Sequence, residues 1–286
     1  MKILGTGLTG LVGSRITELL SAKHQFENIS RSTGVDIENK ESVLSAISAS
    51  DAQVVIHLAA KTNVDGCETD KSSGENGEAW RINVEGTRNV AKACLKTNKK
   101  LIYFSTDFVF DGTKETYSEE DVPNPVNWYA KTKYGGEKIV QGLSTPWIIA
   151  RIAYPYRANF IKPDFFRAIL NRLKNNEPVS AVTDHIFTPT FIDDIAFTLD
   201  TLIESNSQGI FHVVGNQSLT PFAAANLIAD EFGLDKSKIN KTTRADFFNH
   251  RATRPFQLSL KNDKITKLGI KMRTFDEGLR EIKTQI

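Results

Sequence analysis

From the first residues to about residue 151, short apolar runs alternate with longer segments of helical period, and few architectures accommodate that order. Strands separated by helices are joined by crossovers, so the strands run parallel and the helices cover both faces of one sheet. Strands are expected at residues 2–6, 26–30, 53–58, 100–105 and 147–150. The third and fourth contain VVIHL and LIYFS, near-continuous apolar runs suited to burial on both faces. Helices are expected at 11–21, 40–48, 75–96 and 127–141. Beyond 151 the alternation weakens: 160–173 reads as a helix that breaks before Pro178, 191–203 as another, and GIFHVVG at 209–215 as a return to the sheet. Two more helices are expected at 220–232 and 275–284. The fold class is therefore α/β, a doubly wound parallel sheet.

Charge narrows the function classes. The 286 residues carry 36 Lys and Arg against 34 Asp and Glu, a net +2 that gives no electrostatic footprint for nucleic acid or an anionic membrane. No nucleic-acid or membrane partner is expected; a small molecule is. Cys67 and Cys94 stand alone, with no histidine at ligand spacing, so neither a disulfide framework nor a metal site is expected. MKILGTG lacks the basic and apolar regions of a signal peptide, and no run of 18 apolar residues occurs, so the expected location is cytoplasmic.

Directly after the first strand comes GTGLTGLVGSRI, in which Gly7, Gly10 and Gly13 lead into a helix. One glycine permits the tight turn, one lets backbone amides approach a pyrophosphate, and one lets the helix pack against its strand. A glycine pattern alone is weak evidence, since Gly5, Gly7 and Gly10 also satisfy the spacing. Its position in the first strand-to-helix turn of an alternating chain makes it a dinucleotide fingerprint.

Such fingerprints expect an acidic residue at the end of the second strand to bind a ribose 2′-hydroxyl. Here the chain reads Ser30-Arg31-Ser32. A guanidinium with two hydroxyls suits a 2′-phosphate, which favours NADP(H) and admits NAD(H). The plain alternative for Arg31 is a solvated loop charge. Asp36 either accepts a hydrogen bond from adenine or caps the helix near Lys40.

Tyr129 and Lys133 are four apart on an expected helix and so share a face. A phenol ordinarily titrates at about 10, and a nearby ammonium favours the phenolate, bringing proton transfer within range. Thr106 stands just past the fourth strand, at the carboxyl edge of the sheet where ligands bind, and can hold a carbonyl oxygen. His57, in an apolar strand, reads as a satisfied core histidine. His185 lies in TDHIFTPT and reads as either substrate-facing or surface.

TGLTGLVG at 6–13, HLAA at 57–60, NVEGTRN at 83–89, STDFVFDG at 105–112 and NPVNWYAKTKYGGEK at 124–138 resemble the extended short-chain dehydrogenase/reductase superfamily. More narrowly, the chain resembles the dTDP-4-dehydrorhamnose reductase branch, and KTNVDGCE, RIAYPY and FTPTFIDDIA extend the likeness. The resemblance implies a Rossmann-type cofactor domain, 1–151 with about 191–216, and a substrate domain, 152–190 with 217–286. It implies Thr106, Tyr129 and Lys133 as the catalytic triad. It implies cofactor contacts from Gly7, Gly10, Leu11, Val12 and Gly13, from Arg31, Asp36 and Ile37, from Leu58, Ala59 and Ala60, and from Tyr129 and Lys133. Substrate contacts follow at Thr62, Val64, Thr106 and Tyr154. The implied reaction is hydride transfer to a nucleotide-linked 4-keto-6-deoxy sugar, with a homodimer as the implied assembly.

Dehydratases of the superfamily carry Thr-Asp-Glu where this chain has Thr106-Asp107-Phe108, and phenylalanine cannot exchange a proton. Elimination is disfavoured and reduction ranks above epimerisation. A non-catalytic relative, the regulatory beta subunit of methionine adenosyltransferase, keeps the alternative of a dinucleotide-binding partner protein open. The chain departs from the family at RPFQLSL, 254–260, where Gln257 and Leu258 replace a more polar pair and leave the choice of sugar or nucleotide open.

Overall fold

A computed structural model describes residues 1–286. Its main sheet has six strands, all parallel, built around β1 (Lys2–Thr6), β2 (Gln25–Ile29), β3 (Val54–His57), β4 (Lys100–Thr106) and β5 (Trp147–Ile152). A later strand, Gly209–His212, completes it beside β5, as the GIFHVVG run suggested. The expected doubly wound α/β fold is the one found.

Side-chain alternation explains why the central strands carry apolar residues on both faces. Ile3, Val54, Ile56, Ile102, Phe104 and Ile148 point to one face, while Leu4, Val55, Leu101, Tyr103 and Ile149 point to the other. The first face is covered by α1 (Leu11–Leu20) and by the later helix Ile192–Glu204. The second is covered by α2 (Lys40–Ala49) and by helices from the 78–97 and 128–141 stretches.

The third crossover departs most from expectation. Instead of one helix over 75–96, the chain forms α3 (Val64–Asp70), capped by Asn63 on the Gly66 amide, then a 3₁₀ stretch to Asn76. Gly77 is extended, so α4 (Glu78–Trp80) starts anew and runs through a π-helical segment, Arg81–Gly86, into α5 (Thr87–Thr97). In α6 (Trp128–Gln141) the cap is Asn127, whose side chain accepts the Ala130 amide while its own amide donates to the Thr253 carbonyl. One asparagine thus ties the start of α6 to the C-terminal third.

The remaining elements are β6 (Pro155–Tyr156), α7 (Phe165–Lys174), β7 (Val179–Val182), β8 (Thr190–Phe191), α8 (Ile192–Glu204), β9 (Gly209–His212), α9 (Pro221–Phe232), β10 (Ile239–Thr242), α10 (Arg244–Phe247), α11 (Asp263–Lys267) and α12 (Phe275–Gln285). Pro163 and the capping side chain of Asp164 delay α7 beyond the expected start at 160. β6 pairs with β8 and β7 with β10, two-residue and four-residue ladders too short to read from periodicity. An aromatic core of Tyr156, Phe166, Phe187, Phe191 and Phe275 sits among α7, α9 and α12. No helix is long and apolar enough to cross a membrane.

Candidate active site

The strand order β2-β1-β3 reverses the direction of winding at β1, and ligands bind outside the carboxyl ends of strands at such a switch point. A cleft of about 560 Å³ opens there. Gly7 turns the chain at φ +72°, and a Cβ at that position would lie 2.7 Å from the Ala59 amide nitrogen, so only glycine lets the two loops touch. A Cβ on Gly13 would meet the Gly7 carbonyl at 2.5 Å, which holds α1 tight against the loop.

Gly10 is the N-cap of α1 and offers no side chain to its first amides. A helix start left open towards a cleft and cradled by glycines fits a pyrophosphate. Gly7, Gly10, Leu11, Val12 and Gly13 all line the cleft, as do Leu58, Ala59 and Ala60 after β3. Thr62, Val64, Thr106, Tyr129, Lys133 and Tyr154 line it too. Residues about 46 positions apart in the chain, Leu58 and Thr62 on one side and Phe104 to Phe108 on the other, meet because β3 and β4 are adjacent.

Arg31, Asp36 and Ile37 do not line this cleft. Arg31 is exposed and donates to Asp36 Oδ2 at 2.9 Å and Glu38 Oε1 at 2.6 Å. The expectation that Asp36 caps α2 is corrected: Asn39 accepts the Ser42 amide at 2.9 Å, and Asp36 instead accepts the Glu38 amide. Ile37 is buried in the core and packs on Gly86.

Thr106, the last residue of β4, donates its hydroxyl to Asp107 Oδ1 at 3.0 Å and accepts the Phe108 amide at 3.3 Å. Burial pushes the Tyr129 phenol above its ordinary value, with a hydrogen bond to Thr106 opposing. Lys133 Nζ donates to the Phe104 carbonyl at 2.7 Å and lies 4.1 Å from the centre of the Tyr103 ring. Desolvation pulls the amine down to about 7. The expectation that Lys133 depresses the phenol is therefore not met in this geometry, because the amine is held by the strand and burial dominates both groups.

Two cleft residues carry signals the sequence reading did not use. Ser105 Oγ and Asp107 Oδ2 are buried without a hydrogen-bond partner. Desolvation lifts the Asp107 carboxyl to about 7. Unsatisfied polar atoms are rare in protein interiors, and both of these residues line the cleft. Their adjacency to Thr106 was the available clue.

Tyr154 has φ +40°, an uncommon conformation for a bulky residue. Phe187, Phe165 and His185 surround its ring, and its hydroxyl lies 3.3 Å from His185 Nε2. His185 is 1% exposed, which overturns a surface role, and it does not line the cleft. His57 is satisfied in the core: its Nδ1 meets Thr6 Oγ1 at 2.6 Å and its Nε2 meets Thr87 Oγ1 at 3.0 Å. Leu258 is fully buried and Gln257 donates to the Glu115 carbonyl, so the departures at RPFQLSL serve packing and do not line the cleft.

The family model described as RmlD substrate binding domain matches residues 1–286. The chain belongs to this family. It is 31% identical over 299 residues to a dTDP-4-dehydrorhamnose reductase of Aggregatibacter actinomycetemcomitans, covering 99% of this chain and 98% of that one. It is also 30% identical to methionine adenosyltransferase 2 subunit beta of Mus musculus, over 98% of this chain and 86% of that one. Among solved structures, dTDP-4-dehydrorhamnose reductase from Bacillus anthracis in complex with NADP superposes with a TM-score of 0.91 at 28% identity, covering 100% and 99% of the two chains.

Proposed function

We propose that this protein is an NAD(P)H-dependent oxidoreductase that reduces a nucleotide-linked 4-keto-6-deoxy sugar, with dTDP-4-dehydrorhamnose as the leading substrate. The observation that carries the reading is the meeting of Thr106, Tyr129 and Lys133 in one cleft with the glycine loop. When bound, the reduced nicotinamide supplies the hydride. Gly7, Gly10, Leu11, Val12 and Gly13 would hold its pyrophosphate, Leu58, Ala59 and Ala60 would flank it, and Lys133 would meet its ribose. NADP(H) is favoured because Arg31 can exchange its carboxylate partners for a 2′-phosphate, and NAD(H) is admitted because that pairing is already satisfied without one.

Thr106 holds the carbonyl oxygen beside the phenol. Tyr129 donates its proton to that oxygen as negative charge develops there. A phenol whose burial keeps it protonated is suited to this direction of transfer, because reduction requires a donor that is loaded beforehand. Thr62, Val64 and Tyr154 contact the sugar nucleotide.

Phe108 offers no further proton-exchanging group, which favours reduction over elimination, and an intact triad favours catalysis over a purely regulatory role. We assign residues 1–151 with about 191–216 to cofactor binding and 152–190 with 217–286 to substrate binding, in a cytoplasmic homodimer. The test is NADPH oxidation with dTDP-4-dehydrorhamnose. Stoichiometric consumption is expected, and Tyr129→Phe should lower kcat/KM by roughly 10²- to 10⁴-fold. Unchanged turnover in that variant would remove Tyr129 as the donor; cofactor recycling without net consumption would point to epimerisation.

A further inference from the structure

Helix α6 places Tyr129, Lys133 and Glu137 at four-residue spacing on one face. Glu137 is fully buried, and Arg151 of β5, 1% exposed, donates to both its oxygens at 2.9 and 2.8 Å. Every other side of the guanidinium is also occupied. His212 Nδ1 donates to the Lys261 carbonyl at 2.9 Å, which leaves Nε2 as an acceptor 3.4 Å from Arg151 Nη1, and the Phe110 ring lies 5.0 Å from the guanidinium carbon. A buried ion pair of this kind is weak evidence for stability, because apolar residues of similar volume commonly replace one without loss. Its position asks for another role.

Lys133 supplies one. From β4 it meets the Phe104 carbonyl and the Tyr103 ring, and from β3 it faces His57, which burial keeps neutral. On its own helix Tyr129 and Glu137 stand one turn to either side of it. Asp107, in the turn after β4, lines the same cleft but is itself pushed towards the neutral acid by burial. Glu137 is the group that acts against desolvation at Lys133.

We propose that Glu137, held by Arg151, is a positioning residue of the active site: the fixed counter-charge that keeps the Lys133 amine protonated in a desolvated pocket. The inference rests on Lys133 being a working member of the site. It also explains why the pair reaches across to β5: removing one partner of a buried, doubly hydrogen-bonded pair leaves the other uncompensated, and the guanidinium fixes both carboxylate oxygens in place.

The test follows the Lys133 amine directly. Full-length protein carrying ¹³Cε-labelled lysine is titrated by NMR, the signal being assigned by its absence in Lys133→Arg. In Glu137→Gln the Lys133 titration should move down by about one pH unit or more, so that kcat/KM for NADPH-dependent reduction falls about tenfold near neutrality and recovers at lower pH. Glu137→Asp should restore part of the shift. If Glu137→Gln does not fold, Glu137→Gln with Arg151→Met removes both charges together and should still lower the titration. An unmoved Lys133 titration in a folded variant, or a loss of rate equal at every pH, overturns the proposal. Absence of turnover in the unaltered protein would instead overturn the reductase reading, while the titration would still decide the role of Glu137.

Discussion

The glycine loop and the neighbourhood of Tyr154 both line the cleft, yet they hold positive φ by opposite means. At Gly7 the left-handed turn is free of side-chain cost, and the absence of a Cβ is what admits the Ala59 backbone. At Tyr154 a large side chain sits in the same half of conformational space, held by rings contributed from residues 165, 185 and 187. The first arrangement is local and backbone-driven. The second exists only because a second aromatic core closes over it.

That contrast can be broken at either end. The largest effect is expected from Gly7→Val, which adds strain at φ +72° and a clash with backbone: a loss of about 1–3 kcal/mol in denaturant-induced unfolding, together with loss of dinucleotide binding by fluorescence titration. Unaltered binding in that variant would show that the loops can separate without harm. Arg31→Gln leaves both regions intact and removes only the exposed guanidinium that follows β2. The ratio of kcat/KM with NADPH to that with NADH should fall roughly tenfold, the order of one charge-assisted hydrogen bond. An unchanged ratio would leave Arg31 as the surface ion pair it forms with Asp36 and Glu38. The smallest effect belongs to Tyr154→Phe, which keeps the packing and the φ value while deleting the contact to His185: about 0.5–1.5 kcal/mol of stability, measured by thermal or chemical unfolding. A much larger loss would mean that the hydroxyl, and not ring packing, holds the strained residue.

Legibility followed the same division. The parallel strands, the glycine turn and the Tyr129–Lys133 pair could be read because strand period, turn chemistry and helical spacing are local properties of consecutive residues. α3 was missed because VDGCETD is polar and short, with its start marked only by Asn63. The single helix expected at 75–96 failed at Gly77, whose extended backbone restarts the helix. β7, β10 and the two-residue strands left no periodic signal at all. Within the site, Asp107 was visible as a letter beside Thr106, but its orphaned, buried oxygen is a product of packing that no spacing along the chain records.

By itself the sequence determined the doubly wound class and the glycine turn and, through the family resemblance, pointed to the three side chains that meet in the cleft, since each rests on residues close in the chain or on strand ends that a parallel sheet must align. Tertiary structure alone decided the electrostatic surroundings: burial raises the Tyr129 phenol and lowers the Lys133 amine, and packing brings Glu137 and Arg151 together across α6 and β5. The reason is that desolvation depends on everything packed around a group, and no spacing along the chain records it.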